Sequence, residues 1–462
     1  METDITDETP ADDSLVRGRD GQFRFERAVR VDPAETDDVT GHVADRLADG
    51  TLVRIDSGRY RADSALEYVA EGHTVGIEVV GDGPATWVCH DDTDLVASQL
   101  GRFGAGWSPL AGLYVDGPIE LVSEGDANCP GFAIMHFEHA EVTGVRVADE
   151  ATRETLYFRH DNHAPASHDQ PSYFEDLSVA GMSTPTTGRN SAFGFFSEGM
   201  EGPTVLRDVD VENAGGHGAY LSNSSRIHVD GLRARNCAST NLRLPTRSYV
   251  RNVDVVLDGD YRHQRDAVGI AAIENEAAFE GGDPIGMQVV ENATIEHCCH
   301  ANGVRYSLKL GHDKDGMDAG DVDFVDLTVE HERTDAPAVW VGTNFSGTAR
   351  FDDACTINGK RVREHVEEGT GQVRVPEGAT LEFVETIADP VVADPFADGR
   401  FAAARDDENG TTGTSASESQ SRQSAPGQST ATGLPHGTWT VGGLTVVLDE
   451  TGLRISRSGP DD

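Results

Sequence analysis

From Val142 onward one pattern of apolar and polar positions recurs: apolar, two residues, apolar, one residue, apolar. It reads "VTGVRV" at 142, "FEDLSV" at 174, "LRDVDV" at 206, "VDGLRA" at 229, "VRNVDV" at 250, "VENATI" at 290 and "FVDLTV" at 324. A degraded copy, "FDDACT", begins at 351. The third residue of each copy is Gly144, Asp176, Asp208, Gly231, Asn252, Asn292, Asp326 or Asp353. Gly, Asn and Asp tolerate left-handed backbone best, or bond their own turn. Each copy therefore predicts a bend leading into a short strand whose alternate side chains face inward.

A second family of short runs interleaves with the first: "AFGFF" at 192, "GAYL" at 218, "NLRL" at 241, "AVGIA" at 267, "GVRYSLKL" at 303 and "AVWVG" at 338. Successive first-family copies lie 32, 32, 23, 21, 40, 34 and 27 residues apart. Self-similarity at such periods marks a solenoid, and the shortest steps barely suffice for one three-sided turn of parallel strands. A chain of 462 residues also exceeds the size at which one globular core stops growing, whereas a stack lengthens freely. Ahead of the repeats, the periodicity predicts a helix over about 39–47, a strand "TLVRI", a turn at Ser57-Gly58 and two further strands.

The paired motifs, with a helix, strand and "SGRY" turn before them, resemble the right-handed parallel β-helix proteins of the pectin-lyase-like superfamily. The resemblance spans roughly residues 25–360 and implies an all-β, right-handed parallel β-helix. It implies a short N-terminal helix capping the solenoid's open end. Residues 1–20 are expected to be a disordered acidic tail, 21–125 the cap and first coils, and 126–395 the β-helix repeats. A Ser/Thr/Gly-rich linker follows over 396–436, and 437–462 reads as a small C-terminal β segment that docks back or joins a homo-oligomer.

Charge narrows the partners. Asp and Glu number 80 against 37 Lys and Arg, a net charge of −43 spread along the whole chain. Dispersed acid keeps a protein hydrated where concentrated salt screens its self-repulsion, so an extreme halophile is the expected source. No basic patch exists to neutralise nucleic-acid phosphates. No run is long enough to span a bilayer, and the opening "METDITDETPADDSLVRGRD" has no apolar core of a signal peptide. The fold favours an extracellular or cell-surface place; the opening argues for none. The six cysteines are too sparse for a disulfide framework, and Cys298-Cys299, flanked by His297 and His300, read as packed, reduced thiols.

In the second family, Ala219, Leu221, Leu242, Leu244, Val268, Ile270, Val304, Tyr306, Leu308 and Leu310 are expected inside. Tyr220, Arg243, Gly269, Arg305, Lys309 and Trp340 then face outward, one above another about 4.8 Å apart. Aromatic faces stack on sugar rings and guanidinium forks bind carboxylates, so this stripe points to an acidic polysaccharide. Hydrolases of the superfamily carry a Gly-His-Gly preceded by paired aspartates on earlier coils. Here His217 sits in such a motif without the two carboxyls that inverting hydrolysis needs, so it reads as a turn residue.

A lyase or epimerase needs a base beside the uronate carboxylate and a cation to hold the charge that develops. Arg243, Arg305 and Lys309 share those roles, with His217 or Tyr220 as alternative proton carriers. Tyr220 and Trp340 would hold sugar. Glu274 would add an acid from an insertion over 274–286, as would Glu276. The superfamily often uses calcium, and Asp313 and Asp315 in "GHDKDGMDAGD" resemble the start of a calcium loop that lacks its closing glutamate. The alternative is a non-catalytic glycan-binding protein of a cell surface or a virus spike.

Overall fold

The computed structural model describes residues 15–31, 38–90, 98–101, 108–125, 127, 131–148, 158–162, 171–180, 193–195, 203–214, 217–221, 226–237, 240–244, 246–259, 270–275, 287–298, 304–311, 319–397, 401, 437–441, 444–449 and 452–457. Residues 20, 158–162, 193–195, 270, 304, 437–441, 444–449 and 452–457 are described by backbone alone. Met1–Ala404 and Arg405–Asp462 form two compact units.

The first unit is a parallel β-helix. Each long strand pairs with the next long strand, and each short strand with the next short one. Thr204–Glu212 pairs in parallel with Ile227–Arg235, which pairs with Ser248–Leu257, then Gln288–His297, then Val322–His331. Between them Ala219–Tyr220 pairs with Leu242–Leu244, then Ile270–Asn275, then Val304–Leu310, then Val339–Val341.

The predicted bends are real and fix the cross-section. Gly144, Asp176, Asp208, Gly231, Asn252, Asn292 and Asp326 all have positive φ, at 68°, 51°, 51°, 92°, 57°, 50° and 51°. A left-handed residue inside a strand turns it through a corner, so each long strand supplies two walls and each short strand the third. The corner side chains also bond one another, Asn292 Nδ2 donating to Asn252 Oδ1 at 2.7 Å and Asn252 Nδ2 to Asp230 Oδ1 at 2.6 Å. The degraded copy at 351 departs from the rule: Asn358 (φ 49°), and not Asp353, takes the left-handed conformation.

Inside, like stacks on like. Leu206, Val229, Val250, Val290, Phe324 and Phe351 form one buried column before the corner, and Val209, Leu232, Val253, Ala293 and Leu327 a second after it. Full burial of such side chains is worth about 1.5–3 kcal/mol each.

Helix Val39–Arg46 packs on strands Arg27–Val31 and Thr51–Arg61 at the start of the stack, burying Val39 and Val43. Its preceding Asp38 accepts hydrogen bonds from Ser64 Oγ (2.5 Å) and the Asp63 N–H (3.0 Å), which tie the helix to the coil below. The turn expected at Ser57-Gly58 is a register shift within one continuous strand, Thr51–Arg61.

Two stretches flanking the repeats, 15–24 and 391–397 with Phe401, are more ordered than their composition suggests. Within the supposed tail, Val16–Arg17 pairs with Phe23–Arg24, Leu15 is buried, and Arg19 pairs with Glu175. Past the expected boundary at 395, Phe396 and Phe401 are buried against Tyr173, Val205, Tyr249 and Val289 on the wall before the corner. In the second unit Gly437–Val441, Leu444–Asp449 and Gly452–Arg457 form a three-stranded antiparallel sheet.

Candidate functional site

On the wall of short strands the outward stripe exists, with one substitution in its expected membership. Backbone pairing sets Tyr220 beside Arg243, Arg243 beside Glu274, Glu274 beside Lys309, Lys309 beside Trp340, and Trp340 beside Arg374. Glu274 takes the rung expected for Gly269, because the strand of that coil is Ile270–Asn275. It is a strand residue, not part of an overhanging insertion. Gly269 and Val268 lie outside the described residues, as do Glu276, Asp313 and Asp315, so the calcium expectation falls outside them too. Among the described residues no group of three or more His, Cys, Asp or Glu side chains could hold a metal ion.

The row is recessed. Arg243 and Lys309 are each 3% exposed, Glu274 5% and Trp340 7%. Burying these charges requires partners. Lys309 Nζ donates to Glu274 Oε1, and Thr240 Oγ1 donates to Glu274 Oε2 at 2.7 Å. The Arg243 guanidinium lies 4.1 Å from the centre of the Tyr220 ring, and Lys309 Nζ stands 6.0 Å from that of Trp340. Burial pushes the Arg243 guanidinium below its ordinary value, against the opposing pull of Tyr220 and Glu274.

His217 joins this row. Its ring sits 4.8 Å from that of Tyr220, tilted by 52°. Burial first, then the positive charges of Arg243 and Lys309, lowers its pKa to about 4, with Glu274 opposing. The imidazole is therefore neutral at pH 7. Although the residue is only half-buried, its Nδ1 is shut off from solvent and makes no hydrogen bond among the described residues. The glycine after it has a structural task. A Cβ on Gly218 would meet Asn241 O at 2.5 Å and Cys237 Sγ at 3.0 Å, so this corner admits no side chain. The second glycine of Gly-His-Gly is thus coil packing, while the His217 ring packs beside Tyr220.

Two other expectations change. Tyr306, expected in the core, is half-buried and stacks on Trp340, centroids 5.4 Å apart and planes 16° apart. The cause is a bulge: the N–H groups of Ser307 and Leu308 both donate to Ala338 O at 2.9 Å, and both residues are buried. The same coil shifts register at Ile270/Ala271. Arg305 is exposed and leaves the row. Thr240 and Tyr306 are the members that sequence reasoning missed. A hydroxyl just ahead of the strand that carries Arg243 was the sign of Thr240 available in the sequence.

The cysteines also differ from expectation. Cys89 is buried and disulfide-bonded, while Cys237 and Cys355 are buried free thiols. Cys298 is free but exposed, not packed, and His297 points into the core toward Ser307 and His331. Cys299 and His300 lie outside the described residues.

No family model matches the chain, and no curated relative matches it. Among solved structures, an alginate lyase from Paenibacillus sp. str. FPU-7 aligns with a TM-score of 0.40 and 11% identity, over 78% of this chain and 99% of that one. The Streptococcus pneumoniae surface protein and adhesin PfbA aligns at 0.39 and 10%, over 77% and 97%. Likeness at this level leaves the functional reading to the site itself.

Proposed function

We propose that the short-strand wall is the active site of a lyase or epimerase acting on a uronic-acid-containing polysaccharide. The observation that carries this is a neutral imidazole, His217, set beside a recessed row that joins Tyr220, Arg243, Glu274, Lys309 and Trp340.

In the lyase reaction His217 takes the proton from C5 of a uronate whose carboxylate is held by Arg243 and Lys309. The cations stabilise the charge that spreads onto that carboxylate as the C5–H bond breaks. The C4–C5 double bond forms as the C4–O bond breaks, and the departing oxygen takes the Tyr220 hydroxyl proton. His217 then returns its proton to Tyr220. In an epimerase the C4–O bond stays, and Tyr220 reprotonates C5 from the opposite face. Trp340 with Tyr306 stacked on it forms an aromatic floor for a neighbouring sugar. His217, Tyr220 and Tyr306, being half-buried, form the accessible lip of the row. Residues Asp313 and Asp315 remain the proposed calcium ligands if a cation assists.

A specific observation supports a second reading. Lys309 is already matched by Glu274, and both are almost fully buried, as suits a wall that only recognises glycans. A disulfide at Cys89 suits an oxidising compartment outside the cytoplasm, which fits either reading.

One experiment separates them. Purified protein in molar salt, with and without calcium, is incubated with alginate, pectate and acidic exopolysaccharide. Ultraviolet absorbance follows unsaturated uronate, and NMR in deuterium oxide follows exchange at C5. Turnover in either channel that disappears in His217→Ala supports catalysis. Binding without turnover or exchange on any polymer leaves the recognition reading standing.

A further inference from the structure

A separate cavity lies at the other side of the coil, where the corner preceding the long strands meets residues 391–401. It measures about 520 Å³, a size typical of small-ligand sites. Pro203, Arg226, Arg247 and Met287 succeed one another along this corner, each just before its strand, and Arg226, Arg247 and Met287 all hold positive φ (63°, 52° and 59°). Arg247 is exposed and has no ion-pair partner among the described residues. Met287, Val392 and Phe401 supply apolar lining. Asp394 is the acid of the lining, and it is engaged by Arg251 (3.7 Å) and by the Phe396 N–H (2.8 Å).

The decisive group is His228, 7% exposed and part of the lining. Its Nδ1 accepts the Tyr249 N–H at 3.2 Å, which assigns the ring proton to Nε2. No protein acceptor meets Nε2–H among the described residues, and the residue lines the cavity. The ring is fixed by Phe401 (5.8 Å, 27° between planes) and Phe396 (6.4 Å, 83°). A donor held in place at a cavity wall with no protein acceptor among the described residues suits an acceptor on a ligand. Two guanidiniums beside it specify a negative one.

From this geometry we infer a binding site for a small carboxylate-bearing ring compound of about monosaccharide size, its carboxylate held by Arg226, Arg247 and His228 and its ring lying against Phe401 and Met287. The inference stands apart from the proposed reaction, since none of these residues belongs to the short-strand wall.

Calorimetric titration of the full chain with D-galacturonate and with its methyl ester tests it. Galacturonate binding at least tenfold tighter than the ester is expected. Arg247→Ala should weaken galacturonate about tenfold and leave the ester unchanged. His228→Phe keeps the ring stack but removes both the donor and the acceptor of the Tyr249 N–H, so binding should fall together with a modest loss of stability. If that variant fails to fold, the exposed Arg247→Ala still decides the matter. Arg233→Ala, at an exposed ion pair with Asp254 outside both sites, should leave affinity unaltered. No measurable binding, equal binding of acid and ester, an unaffected Arg247→Ala, or loss of binding in Arg233→Ala would each overturn the assignment.

Discussion

The wall before the corner and the wall of short strands are built by the same coils, yet they spend their charges differently. On the first, Glu175 is shared by Arg19 and Arg207, while Asp230 pairs with Arg251 at 2.8 Å and faces Arg207 at 3.8 Å. The chain's own segments then close it: Phe23 and Phe25 pack on Tyr114 at one end, Phe396 and Phe401 on Tyr249 and His228 further along. On the second, Lys309 pairs with Glu274, and the cations of Arg243 and Lys309 lie by the rings of Tyr220 and Trp340. Stacking in register lines residues up on any wall. The two walls differ in what sits against their charges: carboxylates and the chain's own aromatic segments on the first, a row of alternating charged and aromatic rungs on the second.

This contrast can be broken in several ways. The largest effect is expected in turnover: His217→Ala should lower the rate about 10²–10⁴-fold with an unchanged melting temperature. If turnover survives intact while a substitution on the covered wall abolishes it, the two walls have been assigned the wrong way round. Next comes Glu274→Ala, which strands a buried Lys309 and should cost about 3–5 kcal/mol in denaturant unfolding. Glu274→Gln, keeping an acceptor for Thr240, should cost less. Phe396→Ala should cost up to about 3 kcal/mol and speed proteolytic cleavage near residue 396, with turnover preserved, because the segment can undock by itself.

The smallest effect is one of pH. His217 and His228 are both lowered to about 4, burial being the first cause in each. Between pH 6.5 and 4 the unfolded chain binds protons that the folded chain refuses, so stability should fall as pH drops through that window. Thermal melts from pH 7 to 5 in wild type and in His228→Phe should show a flatter profile in the variant.

The corners were legible because backbone chemistry biases them: Gly, Asn and Asp tolerate φ near +50° best, and those letters recur at one place in each copy, whereas the corner of Arg226, Arg247 and Met287 breaks that preference and left no such sign. Tyr220, Arg243, Lys309 and Trp340 were legible from alternation. Alternation alone, however, leaves parity open. "AVGIAAIEN" offers two registers, and the pairing of Arg243 with Glu274 shows that the later one is used. A bulge likewise reverses parity without a periodic trace, which is why Tyr306 was placed inside and Arg305 in the row. Burial of the row depends on what lies above it in space, and no local pattern encodes that. Phe396 and Phe401 were invisible for a similar reason: two isolated aromatics in a polar stretch look like linker until the surface they meet is known.

Residues 389–401 have a mechanical consequence. A stack of coils ordinarily opens rung by rung from a free end. Here the Val391 N–H donates to Asp323 Oδ2 at 2.8 Å, Asp394 meets Arg251, and the carbonyl of Phe401 reaches Arg207. That strip runs back across the coils carrying Asp323, Arg251 and Arg207 and clips them together. Fraying from the C-terminal end must first peel it away. The middle of the rod should therefore melt as one cooperative block.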